Sequence, residues 1–492
     1  MADAILTLDL GTSALKATLF DLDGAVVARG AAEVPTVHPR EGWAEQDPDA
    51  WWEAARTAVA ALNLAGAAGS GRRILAIGLT SQREGIVPVG RDGRPLARCI
   101  IWLDRRAQAE AEELGRQFPD LHQRTGMVPE ATFTAGKVLW LRRHEPDILR
   151  RAAWLLQPRD YLYLRLAATA LTDPSLASRT MFYDLRRRRW AEDVLEAVGV
   201  RTEQLPPVHP SIWAPGRLTR EAAADLGLTD GLPVVAGGGD RPCEVLGAGA
   251  TERRAMESSG TATNLSLPGP LPEIIPEGVL ISAHVVPGQY IWEQGMAPSG
   301  AILQWVGALL TPSPPTTAAE GETDLTARAA ASAPGARGLL FLPHPQGARA
   351  PWWNPRARAA WCGLTLDHGP DDLARSVLEA IAFEGRGALE VLARAGRPVE
   401  EVILAGGSGR SRIWAEIKAS VWNRPVILPR HADAASLGAM LLAGAATGSL
   451  TLDAAARLNP PAARIDPDPV LAARYEEVYT AYRQLYARLE VH

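Results

Sequence analysis

Ile5-Leu-Thr-Leu-Asp9-Leu-Gly11-Thr12-Ser13-Ala-Leu-Lys16-Ala-Thr-Leu-Phe-Asp21 places two short apolar runs, Ile5 to Leu8 and Leu15 to Phe20, on either side of a Gly-Thr-Ser turn. The pattern predicts strand, tight loop, strand. Asp9 falls where the first strand ends. In such a loop the backbone N–H groups and two hydroxyls can converge on an anion, Gly11 admits a close backbone approach, and Asp9 is placed to hold a divalent cation. That set of groups suits the terminal phosphates of a nucleotide with Mg²⁺. The alternative is a glycine turn with a solvated aspartate, and the rest of the chain has to decide between them.

Working outward, Asp23-Gly24 signals a tight turn into a third strand, Ala25 to Gly30, so the chain begins as a meander. In Gly42-Trp-Ala-Glu-Gln-Asp47-Pro48, Asp47 is an N-cap and Pro48 the first residue of a helix. Ile74 to Leu79 predicts a buried strand that delivers Thr80-Ser-Gln82-Arg83-Glu84-Gly85. A carboxamide, a guanidinium and a carboxylate in succession at a strand end can exchange hydrogen bonds with several hydroxyls, as a polyol requires; a surface ion pair is the alternative. Cys99 to Leu103 reads as another buried strand, ending in Asp104-Arg105-Arg106, and Thr132 to His144 as a helix carrying Lys137. Thr172 to Asp184 reads as a polar loop rich in capping residues.

Leu232-Pro-Val-Val-Ala-Gly237-Gly-Gly-Asp240 predicts a strand and a glycine turn presenting one carboxylate, placed either as a general base toward a hydroxyl or as an ordinary turn aspartate. Ala255 to Leu267 then repeats the opening hairpin in outline, with Ser259-Gly260-Thr261 as its turn, about 250 residues after the first. Two such hairpins suggest two halves built on one plan with a nucleotide between them. Pro268 to Pro276 and Thr311 to Thr317 read as loops. Ala297-Pro-Ser-Gly300 starts a helix at a small-residue turn, Asp371 to Glu384 is a capped amphipathic helix, and Val402-Ile-Leu-Ala-Gly406-Gly407-Ser-Gly-Arg410 is again strand and glycine turn, where a purine or ribose could lie against bare backbone.

Length and composition set the frame. At 492 residues the chain predicts two or three domains. A net charge of -5 gives no global attraction for nucleic acid or an acidic membrane. Three scattered cysteines, Cys99, Cys243 and Cys362, support neither a disulfide framework nor a zinc site, which fits a reducing cytosol. The chain shows no signal-peptide pattern and no apolar run long enough to span a bilayer. Among 51 basic residues only Lys16, Lys137 and Lys418 are lysines. Against 48 arginines, each lysine marks a place where a compact ammonium does what a planar guanidinium cannot, or a chance survival.

Taken in order over essentially the whole chain, these stretches resemble the FGGY family of carbohydrate kinases. Asp9-Leu-Gly-Thr-Ser resembles the family's first phosphate loop, Gly237-Gly-Gly-Asp240 its catalytic aspartate, Ser259-Gly-Thr261 its second phosphate loop and Ala405-Gly-Gly-Ser its adenosine loop. Ala359 to Glu379 is similar to its C-terminal signature. The N-terminal signature around Lys137 and Trp140 is matched less fully, with Thr132 where an aromatic or small residue is usual.

The resemblance implies an α/β fold of two actin-like, ribonuclease H-like domains around a central cleft. Residues 1–245 would hold sugar, the first phosphate loop and the catalytic aspartate, and residues 246–492 would bind ATP. Asp240 would accept the proton of the attacking hydroxyl and Asp9 would hold Mg²⁺. Thr12, Ser13, Lys16, Gly260, Thr261, Gly300, Gly406, Gly407 and Arg410 would serve the nucleotide, and Gln82, Arg83, Glu84, Asp104, Asp240 and Arg241 the substrate.

For the acceptor, Gln82-Arg83-Glu84 resembles glycerol kinases, whereas Gly42 to Pro48, Ile101-Trp-Leu-Asp104 and Gly237 to Asp240 resemble xylulokinases. A ketopentose is the first expectation and glycerol or another polyol the second; Arg241 beside the base raises the further expectation of an acidic or oxidised sugar. An actin-like ATPase or a catalytically silent sugar sensor are the rivals of another class. The expected partner is a small sugar or polyol, not nucleic acid or membrane, in the cytoplasm, and a homodimer is compatible with the sequence.

Overall fold

The opening hairpin lies at the centre of a seven-stranded sheet in the computed structural model, which describes residues 2–64, 71–260, 263–310, 318–354 and 356–489. Strands Ala2–Leu10, Ala14–Asp21 and Val26–Glu33 form the antiparallel meander, and Arg72–Ser81 joins Ala2–Leu10 in parallel, bringing Thr80 opposite Asp9. Ile5, Leu6 and Leu8 are all fully buried, so the strand is covered on both faces and its apolar run need not alternate.

The second sheet repeats the plan. Arg254–Ser259, Thr263–Gly269 and Tyr290–Met296 make the meander, and Glu401–Gly406 runs parallel to Arg254–Ser259. On that side a further parallel strand and an antiparallel one extend both sheets, and in the first sheet Gly238–Gly239 also pairs in parallel with Arg72–Ser81. This is the duplicated α/β architecture of actin-like domains.

Helix Pro48–Ala61 begins as its sequence predicts, with the Asp47 side chain accepting the Asp49 N–H, and buries Trp51 and Trp52 against the first sheet. Truncating Trp51 would cost about 3–5 kcal/mol. Helix Pro370–Arg394 is the spine of the second half.

The halves are joined by a close crossing of helices Asp240–Gly247 and Ala434–Thr447. A Cβ on Gly438 would stand 1.9 Å from the Cys243 carbonyl oxygen, and one on Gly247 2.0 Å from that of Ala434, so backbone meets backbone only because both residues are glycine. Asp240 is therefore the first residue of a helix fixed by the junction of the two halves.

Three local expectations are corrected. The strand read at Cys99 to Leu103 is confined to Cys99–Ile100, because the chain turns at Trp102 and the Asp104 N–H donates to the Ile101 carbonyl. The loop read at Pro268 to Pro276 begins later, since Pro268 and Gly269 still pair with Ile291 and Tyr290. The polar stretch Thr172 to Asp184 is buried and contains the short helix Pro174–Ala177, capped by Asp173. Thr311 to Thr317 lies outside the described residues. Among the described residues no helix is long and apolar enough to cross a membrane.

Candidate active site

The two meanders point their turns at each other across a cavity of about 460 Å³. Gly11, Thr12, Ser13 and Lys16 line one wall, Ser258, Gly260 and Asn264 the facing wall, and Arg83, Glu84 and Asp240 the inner end.

Among the described residues, the Thr12 and Ser13 amides donate to no protein acceptor, so both remain available to an anion. The loop is braced from behind. The Gln46 carboxamide donates to the Thr12 carbonyl at 2.6 Å and accepts from the Trp51 indole at 3.0 Å and from the Gln82 amide at 2.7 Å. The Trp102 indole donates to the Thr12 hydroxyl at 2.9 Å. Gln82, read from the sequence as a substrate ligand, is thus buried behind the loop and holds it, because its N–H is tied to the Leu10 carbonyl at 2.8 Å.

Asp104, also expected at the substrate, is turned into the protein as well. Its carboxylate accepts from the Ala44 amide at 2.6 Å and from the Arg106 guanidinium at 2.7–3.0 Å, and it does not line the cavity.

Asp9 is buried beneath the loop, with Lys16 Nζ 3.3 Å from its Oδ2 and 3.7 Å from Asp433 Oδ1. Burial pushes the Asp9 carboxyl up to about 7, against the pull of Lys16 and with the help of Asp433 and Asp240. A carboxylate whose charge is so disfavoured gains most from a cation. Among the described residues no group of three or more His, Cys, Asp or Glu could cage a metal alone. A divalent ion shared between Asp9, water and nucleotide phosphates fits this donor set.

The facing loop is held just as firmly. Ser258 Oγ donates to Glu244 Oε1 at 2.7 Å, which ties the loop to the Asp240 helix. Ser259 Oγ donates to Glu257 at 3.0 Å, and Glu257 receives Lys418 Nζ at 2.7 and 2.8 Å in a buried pair. The Gly300 amide donates to the Gly260 carbonyl at 3.2 Å. Gly406, opposite Ser259, has φ +71°, and a Cβ there would lie 2.4 Å from the Ser259 carbonyl oxygen. Gly300 and Gly406 touch this loop, Arg410 is exposed, and none of Gly300, Gly406, Gly407 and Arg410 lines the cavity; Thr261 lies outside the described residues.

At the inner end, Arg83 Nε is 3.3 Å from Asp240 Oδ1 and 3.7 Å from Glu84 Oε1. Its Nη2 is 3.3 Å from Glu293 Oε2. Arg179 bridges the same acids, with Nε 2.5 Å from Glu84 and Nη1 3.4 Å from Glu293. The Asp240 side chain keeps 40% of its exposure, against 7% for Arg83, so it is the carboxylate open to an incoming hydroxyl. Partial desolvation raises its pKa, opposed by Arg83 and Arg241. Arg241 pairs with Glu244, so it brings no unpaired positive charge to the cleft.

Glu293 and the roles of Arg179 and Gln46 escaped the sequence reading. The available signal for Glu293 was a charged residue inside the buried strand Tyr290–Met296; nothing local marks the others.

Residues 4–247 match the family model for the N-terminal domain of the FGGY family of carbohydrate kinases, and residues 255–447 match that for its C-terminal domain. The chain is 32% identical over 488 residues to a xylulose kinase of Escherichia coli (strain K12), covering 98% of each chain. It is 34% identical over 464 residues to a glycerol kinase of Gloeobacter violaceus, covering 91% of this chain and 89% of that one. A crystal structure of xylulose kinase from Rhodospirillum rubrum superposes with a TM-score of 0.90 at 30% identity, covering 99% of each chain.

Proposed function

The chain belongs to the FGGY family of carbohydrate kinases and is an ATP-dependent sugar kinase, and from this premise we propose that it phosphorylates a hydroxyl of an uncharged ketopentose, xylulose first, with Mg²⁺ as the metal. The observation that carries the reading is the position of Asp240: the open carboxylate of the cleft, between the polyhydroxyl-binding end at Arg83 and Glu84 and the two anion loops.

In this reading residues 1–245 hold the sugar and residues 246–492 most of the nucleotide. The sugar hydroxyl is oriented by Arg83 and Glu84 and gives its proton to Asp240 as its oxygen bonds to the γ-phosphorus; the bond to the β,γ-bridging oxygen breaks and ADP leaves. Thr12 and Ser13 amides, with those of the Gly260 loop, receive the phosphoryl oxygens. Lys16 adds a positive charge beside them. A divalent ion at Asp9 neutralises phosphate charge when bound. Closure of the cleft walls excludes water and so limits wasteful hydrolysis of ATP.

An uncharged acceptor is supported by pairing: Arg83 and Arg179 face Glu84, Glu293 and Asp240, Arg241 faces Glu244, and Arg349 faces Glu130 at 2.9 Å. Among the described residues each guanidinium lining the inner end has a carboxylate partner, which argues against an acidic sugar. The Arg83–Glu84 pair also favours glycerol as a second reading. Cysteine usage supports a cytoplasmic setting.

A coupled ADP assay with Mg²⁺ and ATP, run across xylulose, ribulose, xylitol, glycerol and a sugar acid, tests the reading. Xylulose should stimulate ADP release most. Preference for glycerol would move the assignment to a polyol kinase, and preference for the acid would overturn the argument from charge pairing.

A further inference from the structure

Glu84 combines two features that do not ordinarily go together. It carries a carboxylate at the inner end of the cleft, and its φ is +64°, in the left-handed region that residues with a Cβ seldom enter. Something must hold it there.

Its backbone is fixed on both sides. The Glu84 N–H donates to Gln157 Oε1 at 3.0 Å. Its carbonyl accepts from Lys137 Nζ at 2.9 Å and from Thr134 Oγ1 at 3.2 Å. Lys137 reaches further, donating to the Thr132 carbonyl at 2.7 Å, and Thr132 is itself a wall of the cavity. One ammonium therefore joins the loop that bears Arg83 and Glu84 to the wall beside it.

Lys137 is fully buried on helix Thr134–His144, and no carboxylate lies within ion-pairing distance of it among the described residues. Its partners are carbonyl oxygens, so its contribution is directional hydrogen bonding and not charge pairing. Burial pushes its amine down to about 8, and the neutral amine still carries two N–H groups, one for each carbonyl. A compact ammonium serves both carbonyls, 2.7 and 2.9 Å away, from one nitrogen, where a guanidinium would bring a longer and bulkier planar group into the same fully buried space. That gives a physical reason for one of three lysines in a chain with 48 arginines.

We propose that Lys137 is a positioning residue for the sugar site: it locks Glu84 in its left-handed conformation and so aims the Arg83 and Glu84 side chains into the cleft. This inference rests on the sugar-kinase reading for its kinetic consequence, but the lock itself is measurable without any sugar.

The test compares wild type, Lys137→Met and Thr134→Val. In Lys137→Met the KM for xylulose should rise at least tenfold while the KM for ATP stays within twofold. Thr134→Val, which removes one donor to the same carbonyl from a helix start, should raise the xylulose KM several-fold and decides the matter if the methionine variant does not fold. Hydrogen exchange over residues 80–86, measured without substrate, should be faster in both variants. Unchanged exchange in a folded variant, or equal rises in the KM for xylulose and ATP, would overturn the proposal. Faster exchange in variants of an enzyme that phosphorylates no sugar would retain the lock and refute the kinase assignment of the substrate.

Discussion

Glu293 and Arg83, 210 residues apart in the chain, face each other across the inner end of the cleft with Glu293 Oε2 3.3 Å from Arg83 Nη2. Both side chains are at most 7% exposed, and Arg179 reaches the same carboxylate. The two guanidinium groups hold the Glu293 carboxyl down to about 2 against the opposing effect of burial. This contact links a cavity-lining arginine of one half to a strand of the other.

Glu293→Ala should therefore leave two buried guanidinium groups undercompensated and cost about 3–5 kcal/mol of stability. Because Arg83 loses its orientation, the xylulose KM should rise about tenfold or more, on the basis that 1.4 kcal/mol is a factor of ten. Denaturant melts and steady-state kinetics read the two effects separately. Unchanged kinetics in the variant would mean that Glu293 serves packing alone.

Asp240→Asn should lower kcat by about 10²–10⁴ while ATP binding is retained, as expected for loss of a positioned base. The raised pKa of Asp240 also sets a direction with pH. The base works ionised, so turnover should fall as pH drops through a value above the ordinary 3.8. In Asp240→Asn that acid limb should vanish from the residual rate, as a pH–rate profile would reveal.

Lys418→Met should act on the nucleotide side. It removes the cation from the buried Glu257 carboxylate, which also holds the Ser259 hydroxyl, and it forfeits the contact of Lys418 with the Trp414 ring at 4.1 Å. A loss of about 3–5 kcal/mol in stability is expected. The KM for ATP should rise more than the KM for sugar, the opposite of the Glu293 variant. Equal effects on both would show that Glu257 does not act through its loop.

Glu384→Gln should change how stability depends on pH. Glu384 is buried, accepts from the Tyr482 hydroxyl at 2.6 Å and the Trp352 indole at 2.7 Å, and burial pushes its carboxyl up to about 7 from 4.5. The folded protein thus keeps a proton that the unfolded chain releases. The associated stability, about 3 kcal/mol, is fully present below pH 4.5 and is lost as pH rises through 7. Glutamine keeps the acceptor without the titration, so the Tm of the variant should exceed that of wild type at pH 8 and lose the advantage near pH 4.5.

Much of this was legible locally. Alternation of apolar runs with Gly-Thr-Ser, Gly-Gly-Gly-Asp, Ser-Gly-Thr and Ala-Gly-Gly-Ser marks four strand ends; residues of the first three line one cavity, while Gly406 and Gly407 of the fourth do not line it. Gln82 and Asp104 were misplaced because strand-end polarity does not say which way a side chain turns. Gln82 is drawn back by Gln46 and Asp104 by Ala44 and Arg106, partners 36, 60 and 2 residues away.

By itself the sequence determined the duplicated α/β plan, the two hairpins with their glycine turns and the family, because these rest on short-range spacing: apolar runs of strand length, glycine where backbone must approach, a carboxylate at a strand end. Only the tertiary structure decided which carboxylate stands open in the cleft, that Glu293 and Arg179 complete the inner end, and that Lys137 locks the backbone of Glu84. Those outcomes depend on groups distant in the chain meeting at 2.7–3.4 Å, and no local pattern encodes which distant partner will arrive.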